Sequence, residues 1–301
     1  MWPRLRRRWS RVAQSRGLPG AARWPNRVGV PRRIESFSNE TVKRLRALHD
    51  KRSRRDAGLF LAEGLRVCTE AADAGRLPAV LLVAEDAADH PLTARLVADV
   101  DRAGGDAAIT TRAILAKVSG KDNAAGVVGA YAIPPTPLCG IDRAAAPMWV
   151  VCEGLKDPGN LGTILRTCDA TGAGGVILLD QSCDPFSVEA VRASMGAVFT
   201  RAVAQASGAE FFGWLRAAPG MLVGTYLGPG TVDYQAVAYG EPTFLFMGNE
   251  QSGLPTDYAA RCDVLVRMPM AGTADSLNVA VACGVMLYEM VNQRRAKVTV
   301  S

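Results

Sequence analysis

The sequence predicts an α/β protein in two parts, the larger built on a mostly parallel sheet. Three observations carry this. From residue 148 onward, short apolar runs of strand length alternate with stretches of helix length across short connections, as expected of parallel strands covered on both faces. Residues 34–133 repeat the alternation on a smaller scale. Between the two, Pro134 to Pro147 holds four prolines and little periodicity, which marks a linker.

The elements are predicted in chain order as follows. Residues 1–33 carry ten arginines, no lysine and no acidic residue, and show no apolar periodicity, so a basic, disordered extension is expected. A solvated tail or misplaced start, an RNA-binding arm and an organellar transit peptide all fit that composition. Folded structure is expected from Ile34. Asn39 to Asp50 has helical spacing through Val42, Leu45 and Leu48, with a basic cluster from Lys43 to Arg55 on and after it. Phe60 to Gly75 reads as a helix, Ala79 to Ala84 as a strand and Pro91 to Ala103 as a helix. Ala107 to Thr110 and Val127 to Ile133 read as further strands, closing a small α/β domain over 34–133.

The second domain, 148–296, opens with a strand at Met148 to Leu155 and a helix from Leu161 to about Thr171. Strand Gly175 to Asp180, a helix over Val188 to Ser194, strand Phe199 to Ala204, helix Glu210 to Ala218 and strand Met221 to Tyr226 follow. Strand Thr243 to Met247, a short helix around Asp257, strand Val264 to Met268 and a long helix from Ser276 to about Arg294 complete it.

Composition narrows the function. The formal net charge is +6, but 25 basic face 29 acidic residues once the first 33 are set aside, so attraction to nucleic acid rests on that tail or on local patches. The seven cysteines are scattered, with no C-x-x-C pair. That argues for a reducing compartment and against disulfides or a structural zinc; no metal is expected. No window approaches a membrane span. Localisation is therefore expected to be cytoplasmic, or mitochondrial if the tail is a transit peptide. Both histidines, His49 and His90, lie in the first third, so the second half does its chemistry without histidine.

Two common signatures are set aside. The cluster Ala170 to Gly175 closes a helix and precedes a strand, the reverse of a dinucleotide-binding turn, and reads as a helix C-cap. No P-loop is present. Three other segments stand out. In Asp157 to Gly172, Asn160 is placed to cap a helix, Gly162 leaves a bare patch for a backbone or a phosphate, and Arg166 projects from the same face four residues on. In Phe244 to Pro255, an apolar strand ends in a loop of small and amide residues, at the strand end where parallel sheets bind ligands. In Arg267 to Glu289, Asp275 or Ser276 can cap a helix that is apolar around nearly its whole circumference and so needs burial, in the chain or against another subunit; capping is also the plain reading of Asn278, which like Ser276 could touch a ligand as well. The free N–H groups at its start suit an anion.

In this order, N-L-G-T-I-L-R, G-N-E-x-x-G-L and M-P-M-x-G-x-x-x-S-L-N-V-A-V-A resemble the three motifs of the SpoU (TrmH-like) family of SPOUT RNA methyltransferases. The resemblance covers Met148 to Arg294 and includes V-R-A-S-M-G-A-V-F at Val191 to Phe199. G-x-F-L-A-E-G-x-R at Gly58 to Arg66 resembles the substrate-binding domain that accompanies many members. The resemblance implies a C-terminal trefoil knot, an L30e-like RNA-binding first domain, a homodimer with the last helix at its interface, and S-adenosylmethionine as cofactor. It implies that groups near Gly248, Met268 and Leu277, with Thr225 and Asn249, hold the cofactor. Met268 stands where isoleucine is usual, a volume-conserving change. It implies that Asn160, Arg166, Glu250, Ser276 and Asn278 line the catalytic site.

The implied reaction is 2′-O-ribose methylation of RNA, most simply large-subunit ribosomal RNA, since the 2′-hydroxyl distinguishes RNA. Arg166 is implied as proton acceptor, yet arginine generally keeps its proton in proteins. It either loses a proton in an unusual site or clamps phosphate and developing alkoxide charge while another group takes the proton. Glu250 is either a base or a group that orients Arg166 or Asn160. A tRNA ribose methyltransferase, an antibiotic-resistance enzyme acting on ribosomal RNA and a non-catalytic ribosome-assembly factor are the rival readings.

Overall fold

The structure, a computed structural model, describes residues 32–300, with side chains to residue 297. The chain divides into two compact units at Ile133/Pro134. The expectation of a disordered extension lies outside the described residues except for Arg32 and Arg33. These belong to strand β1 (Arg32–Ile34), which pairs in parallel with β4 (Asp106–Thr110), so the fold begins two residues before Ile34.

The first unit is a five-stranded sheet in the order β1-β4-β3-β5-β2, with β3 at Val80–Ala84, β5 at Val127–Ala132 and β2 at Leu59–Glu63. β5 runs antiparallel to both its neighbours. The helix expected over Asn39 to Asp50 is two helices. α1 (Glu40–Ala47) is capped by Asn39, and α2 (Lys51–Ala57) by Asp50, whose side chain accepts from Ser53 N–H. Buried Arg54 fastens their corner, donating to the carbonyls of Leu48 and His49 at 2.8 Å each. One member of the basic cluster is therefore structural.

Phe60 to Gly75 is not one helix. Leu59 to Glu63 pairs antiparallel with β5, Leu59 opposite Ala132 and Glu63 opposite Val128, before Gly64 turns the chain at φ 102° into α3 (Leu65–Asp73). A short apolar run carries no period of its own, and the open edge of β5 decides its state. Helix α4 (Pro91–Arg102) matches expectation, while α5 (Arg112–Ser119) was not anticipated.

The second unit is a seven-stranded, wholly parallel sheet. Its strands are β6 (Met148–Glu153), β7 (Gly175–Leu179), β8 (Ala202–Ala206), β9 (Met221–Thr225), β10 (Val232–Asp233), β11 (Thr243–Met247) and β12 (Val264–Arg267). They lie in the order β10-β12-β9-β11-β6-β7-β8. Alternation along β6 sorts the core. Met148, Val150 and Cys152 face a layer with α6 (Pro158–Thr171) and α11 (Val279–Val300). Trp149 and Val151 face α9 (Gly208–Arg216) and α10 (Thr256–Ala259) on the other side.

Strand β8 starts later than expected because Phe199 belongs to a one-turn helix, α8 (Ala197–Thr200), that follows α7 (Val188–Ala193). Gly175 sits so close to β8 that a Cβ there would lie 1.9 Å from the Ala202 carbonyl oxygen. The proline-rich stretch packs along this unit: Leu138 is buried, and Arg143 stacks 3.9 Å over Trp214 while donating to the Leu215 and Ala218 carbonyls at the end of α9. Among the described residues no helix is long and apolar enough to cross a membrane.

Candidate functional site

Connections leaving β6 run toward β7 and β8, whereas the one leaving β11 runs toward β12. β6 and β11 are neighbours, so their C-terminal ends form the reversal point where parallel sheets open a ligand crevice. All three polar segments converge there.

Asp157, not Asn160, caps α6: its Oδ1 accepts from the N–H groups of Gly159 (2.6 Å) and Asn160 (3.4 Å), and Pro158 takes the first helical position. The Asn160 side chain is thereby released to bridge two loops. Its Nδ2 donates to Glu250 Oε1 at 3.3 Å, and its Oδ1 accepts from Asn278 Nδ2 at 3.0 Å. Asn278, not Asp275 or Ser276, caps α11, its Oδ1 accepting from Ala280 N–H at 2.9 Å and Val281 N–H at 3.3 Å. The last helix accordingly starts at Val279.

Glu250 accepts backbone N–H donors on both oxygens, Lys156 on Oε2 at 3.1 Å and Asp157 on Oε1 at 3.0 Å. Partial burial pushes its carboxyl up. The N–H groups of Asp157, Glu250 itself and Lys156, with the Asn160 amide, outweigh this and hold it below the ordinary carboxylate range. A carboxylate so engaged is a strong anchor and a weak base. Glu153, at the end of β6, is shifted the other way, by burial first and the charge of Asp180 second. Strand alternation turns Glu153 with Trp149 and Val151 to the α9 side, away from Asn160 and Asn278.

The loop after β11 folds on itself. Asn249 and Gly253 exchange backbone hydrogen bonds, and Asn249 Nδ2 donates to the Gly154 carbonyl at 2.6 Å while its Oδ1 accepts from Gln251 and Ser252 N–H. A Cβ on Gly248 would lie 2.1 Å from Leu254 N, so the turn requires glycine. The Asn249 side-chain amide thus shapes the loop.

Thr225, Gly248 and Met268 stand at or just beyond the ends of β9, β11 and β12. Thr225 Oγ1 donates to the Phe246 carbonyl at 3.3 Å, and Met268 is half-buried against the core. From Met270 to Leu277 no backbone N–H donates a hydrogen bond within the described residues, and Leu277 is exposed. Neutral donors beside Leu277 and Met268 fit S-adenosylmethionine, whose adenine ring is apolar on its faces and polar at its edge.

The side chains of Arg166 and Ser276 are exposed and make no hydrogen bond or ion pair among the described residues, so the structure does not draw them into the Asn278–Asn160–Glu250 chain. Gly162 packs on protein: a Cβ there would lie 2.4 Å from the Ala190 carbonyl oxygen and 2.8 Å from Ser194 N. Of the two approaches expected at that bare patch, a backbone makes it. Lys156 and Asp157 were missed, although Asp-Pro-Gly is a helix-start signal.

Comparison with known proteins adds to this geometry. The model of the SpoU rRNA Methylase family matches residues 147–288, and that of the MRM3-like substrate binding domain matches residues 39–129. The chain is 33% identical over 292 residues to a 23S rRNA (uridine(2479)-2′-O)-methyltransferase of Streptomyces viridochromogenes, covering 94% of this chain and 97% of that protein. It is 28% identical to the 23S rRNA (guanosine(2553)-2′-O)-methyltransferase RlmP of Bacillus subtilis, over 86% of this chain and 99% of that one. The crystal structure of an AdoMet-bound rRNA methyltransferase from Sinorhizobium meliloti superposes with a TM-score of 0.82 at 39% identity, covering 89% of this chain and 99% of that one.

Proposed function

Because the chain belongs to the SpoU rRNA methylase family, we propose that it is an S-adenosylmethionine-dependent enzyme that methylates a ribose 2′-hydroxyl of large-subunit ribosomal RNA. The observation that carries this reading is the chain of hydrogen bonds Asn278–Asn160–Glu250, which gathers all three polar segments at one crevice.

S-adenosylmethionine supplies a methyl made electrophilic by its sulfonium. The strand-end loops at Thr225, Gly248 and Met268, with the free N–H groups leading to Leu277, hold the cofactor. Asn249 shapes this wall from behind. Glu250 anchors Asn160 as a carboxylate and is not the proton acceptor. Asn160 and Asn278 orient the ribose, and Ser276 borders it at the start of the last loop. Arg166, cationic and exposed, grips the adjacent phosphate and the developing alkoxide charge. Alignment of the ribose oxygen with the methyl supplies much of the acceleration.

The exposed Lys43, Arg46, Lys51 and Arg52 on α1 and α2 suit the phosphate backbone, and the substrate-binding-domain match supports an L30e-like RNA-binding role for the first unit. A homodimer is supported by Val281 and Tyr288, two turns apart on one face of α11 and exposed in the single chain. A C-terminal trefoil knot is supported by β11 lying between β9 and β6, and β12 between β10 and β9. The bacterial cytoplasm, where ribosomal RNA is made, is the site of action.

The test is methyl transfer from labelled S-adenosylmethionine to purified ribosomal RNA, followed by digestion to nucleosides. A 2′-O-methylnucleoside is expected. Label on a base, or none on RNA, overturns the reading.

A further inference from the structure

Helix α6 carries Gly162, Arg166 and Asp169 at spacings that put them on one stripe. Both ends of that stripe are occupied by the same neighbouring segment. Gly162 abuts Ala190, Ala193 and Ser194 of the α7 end, and Asp169 accepts hydrogen bonds from Thr200 Oγ1 at 3.0 Å and Arg201 Nε at 2.9 Å. The intervening turn, Met195–Gly196, therefore runs beside the turn of α6 that presents Arg166.

That turn is unusual. Met195 has φ 50°, a left-handed conformation costly for a side chain that cannot hydrogen-bond locally, and Gly196 follows at φ 95°. The strain is not offset by burial, since Met195 remains 42% exposed. The surroundings fix it from both sides. Fully buried Ser194 donates from Oγ to the Val191 carbonyl at 2.7 Å, Met195 N–H donates to Arg192 O at 3.2 Å, and Phe199 N–H donates to Gly196 O at 2.9 Å. A strained, exposed, rigidly held residue beside a candidate site points to a use for the side chain it displays.

We infer that Met195 is a substrate-contacting residue: its thioether packs against the target nucleoside while Arg166, on the adjacent turn, holds the phosphate. This rests on the proposed methylation of RNA. The pairing of an apolar, polarisable side chain with a cation that has no ion-pair partner among the described residues matches a nucleotide, which joins a flat π-face to an anion. A second copy of this chain would have to bring an acid to meet Arg166 and is the less complementary occupant.

The discriminating variant is Met195→Gly, because glycine adopts this φ without strain while removing the side chain. Thermal midpoint, S-adenosylmethionine affinity, sedimentation and steady-state kinetics with ribosomal RNA are compared with wild type and Met195→Leu. The expected result is an equal or higher midpoint, unchanged cofactor affinity and assembly, and a kcat/KM for RNA lowered about five- to tenfold, the scale of burying the exposed part of one methionine. Met195→Leu recovers most of it. An unchanged kcat/KM in Met195→Gly, with wild type active, overturns this inference alone. A Met195→Gly protein that dissociates to monomers assigns the residue to a contact between copies and also overturns it. A wild type that neither binds nor methylates RNA fails the functional reading and takes this inference with it.

Discussion

Asn278 Nδ2 donates to Asn160 Oδ1 at 3.0 Å, joining the first turn of α6 to the start of α11 across 118 residues. The same Asn278 side chain caps α11 through its Oδ1. One amide therefore does two separable jobs, and two substitutions separate them.

Asn278→Asp keeps a good cap acceptor, favoured by the helix dipole, but faces the Asn160 oxygen with a second acceptor. Its melting temperature is expected near wild type while single-turnover methyl transfer falls about ten- to a hundredfold, the scale of losing a well-placed hydrogen bond. Asn278→Ala loses both functions and about 1 kcal/mol of stability as well. Equal turnover in Asn278→Asp and wild type, measured by rapid quench, counts against a role in orientation.

Glu250 provides a prediction in pH. Its folded carboxyl lies below the ordinary range, chiefly because backbone and amide donors outweigh the upward push of burial. A depressed carboxyl contributes stability that is fully present above its unfolded pKa of about 4.3 and is lost as pH falls through the lower folded value. Glu250→Gln is therefore expected to be less stable than wild type near neutrality, with the gap narrowing below about pH 4 as wild type protonates. Denaturant midpoints across pH measure it. A gap that is constant with pH contradicts the anchoring role.

Much of this arrangement was legible in the sequence, for identifiable reasons. Six of the second unit's seven strands are readable because each is a short apolar run, and the ends of β6, β9, β11 and β12 are the site loops; the seventh, the exposed two-residue β10, is too short to show a run. Phe60 and Phe199 were misread because short apolar runs carry no period, so pairing with β5 in one case and a one-turn helix in the other decided the outcome. The insertion of β11 between β9 and β6 leaves no local trace, since order within a sheet is a tertiary property. The cap of α6 differs from expectation by three residues because Asp157 and Asn160 are chemically equivalent candidates until the helix start is known, whereas Asn278 is one of the candidates read for α11. With Asp157 as the cap of α6, Asn160 is left free to bridge Glu250 and Asn278, while Asn278 caps α11 through its oxygen and bridges through its nitrogen.

Gly162 tests the clasp between α6 and α7. Alanine would improve helix propensity by at most about 1 kcal/mol. Against that, its Cβ would meet Ala190 O at 2.4 Å, Ala193 Cβ at 2.5 Å and Ser194 N at 2.8 Å, two of them backbone atoms. Overpacking of this kind costs about 1–3 kcal/mol and wins. Gly162→Ala is expected to lower the melting temperature and, by displacing the Met195 turn, to weaken RNA turnover more than cofactor binding. Calorimetry and cofactor titration on one preparation measure both, and a stabilised Gly162→Ala enzyme would contradict the close approach.

Arg166 is the sharpest case, because exposure without an ion pair among the described residues fits either an idle surface residue or a cation waiting for substrate. If it clamps phosphate and transition-state charge through its planar fork, Arg166→Ala is expected to lose about two to three orders of magnitude in turnover, comparable to removing one oxyanion donor. Arg166→Lys keeps the charge but not the fork and is expected to recover only part. Cofactor affinity is expected to stay level in both, since the residue acts on the ribose side. If Arg166 instead accepts the proton, lysine, with its lower intrinsic pKa, retains activity and moves the pH–rate profile to lower pH. Single-turnover methyl transfer across pH for wild type and both variants distinguishes the two roles. Near-normal turnover in Arg166→Ala eliminates both and returns Arg166 to the solvent-facing surface of α6.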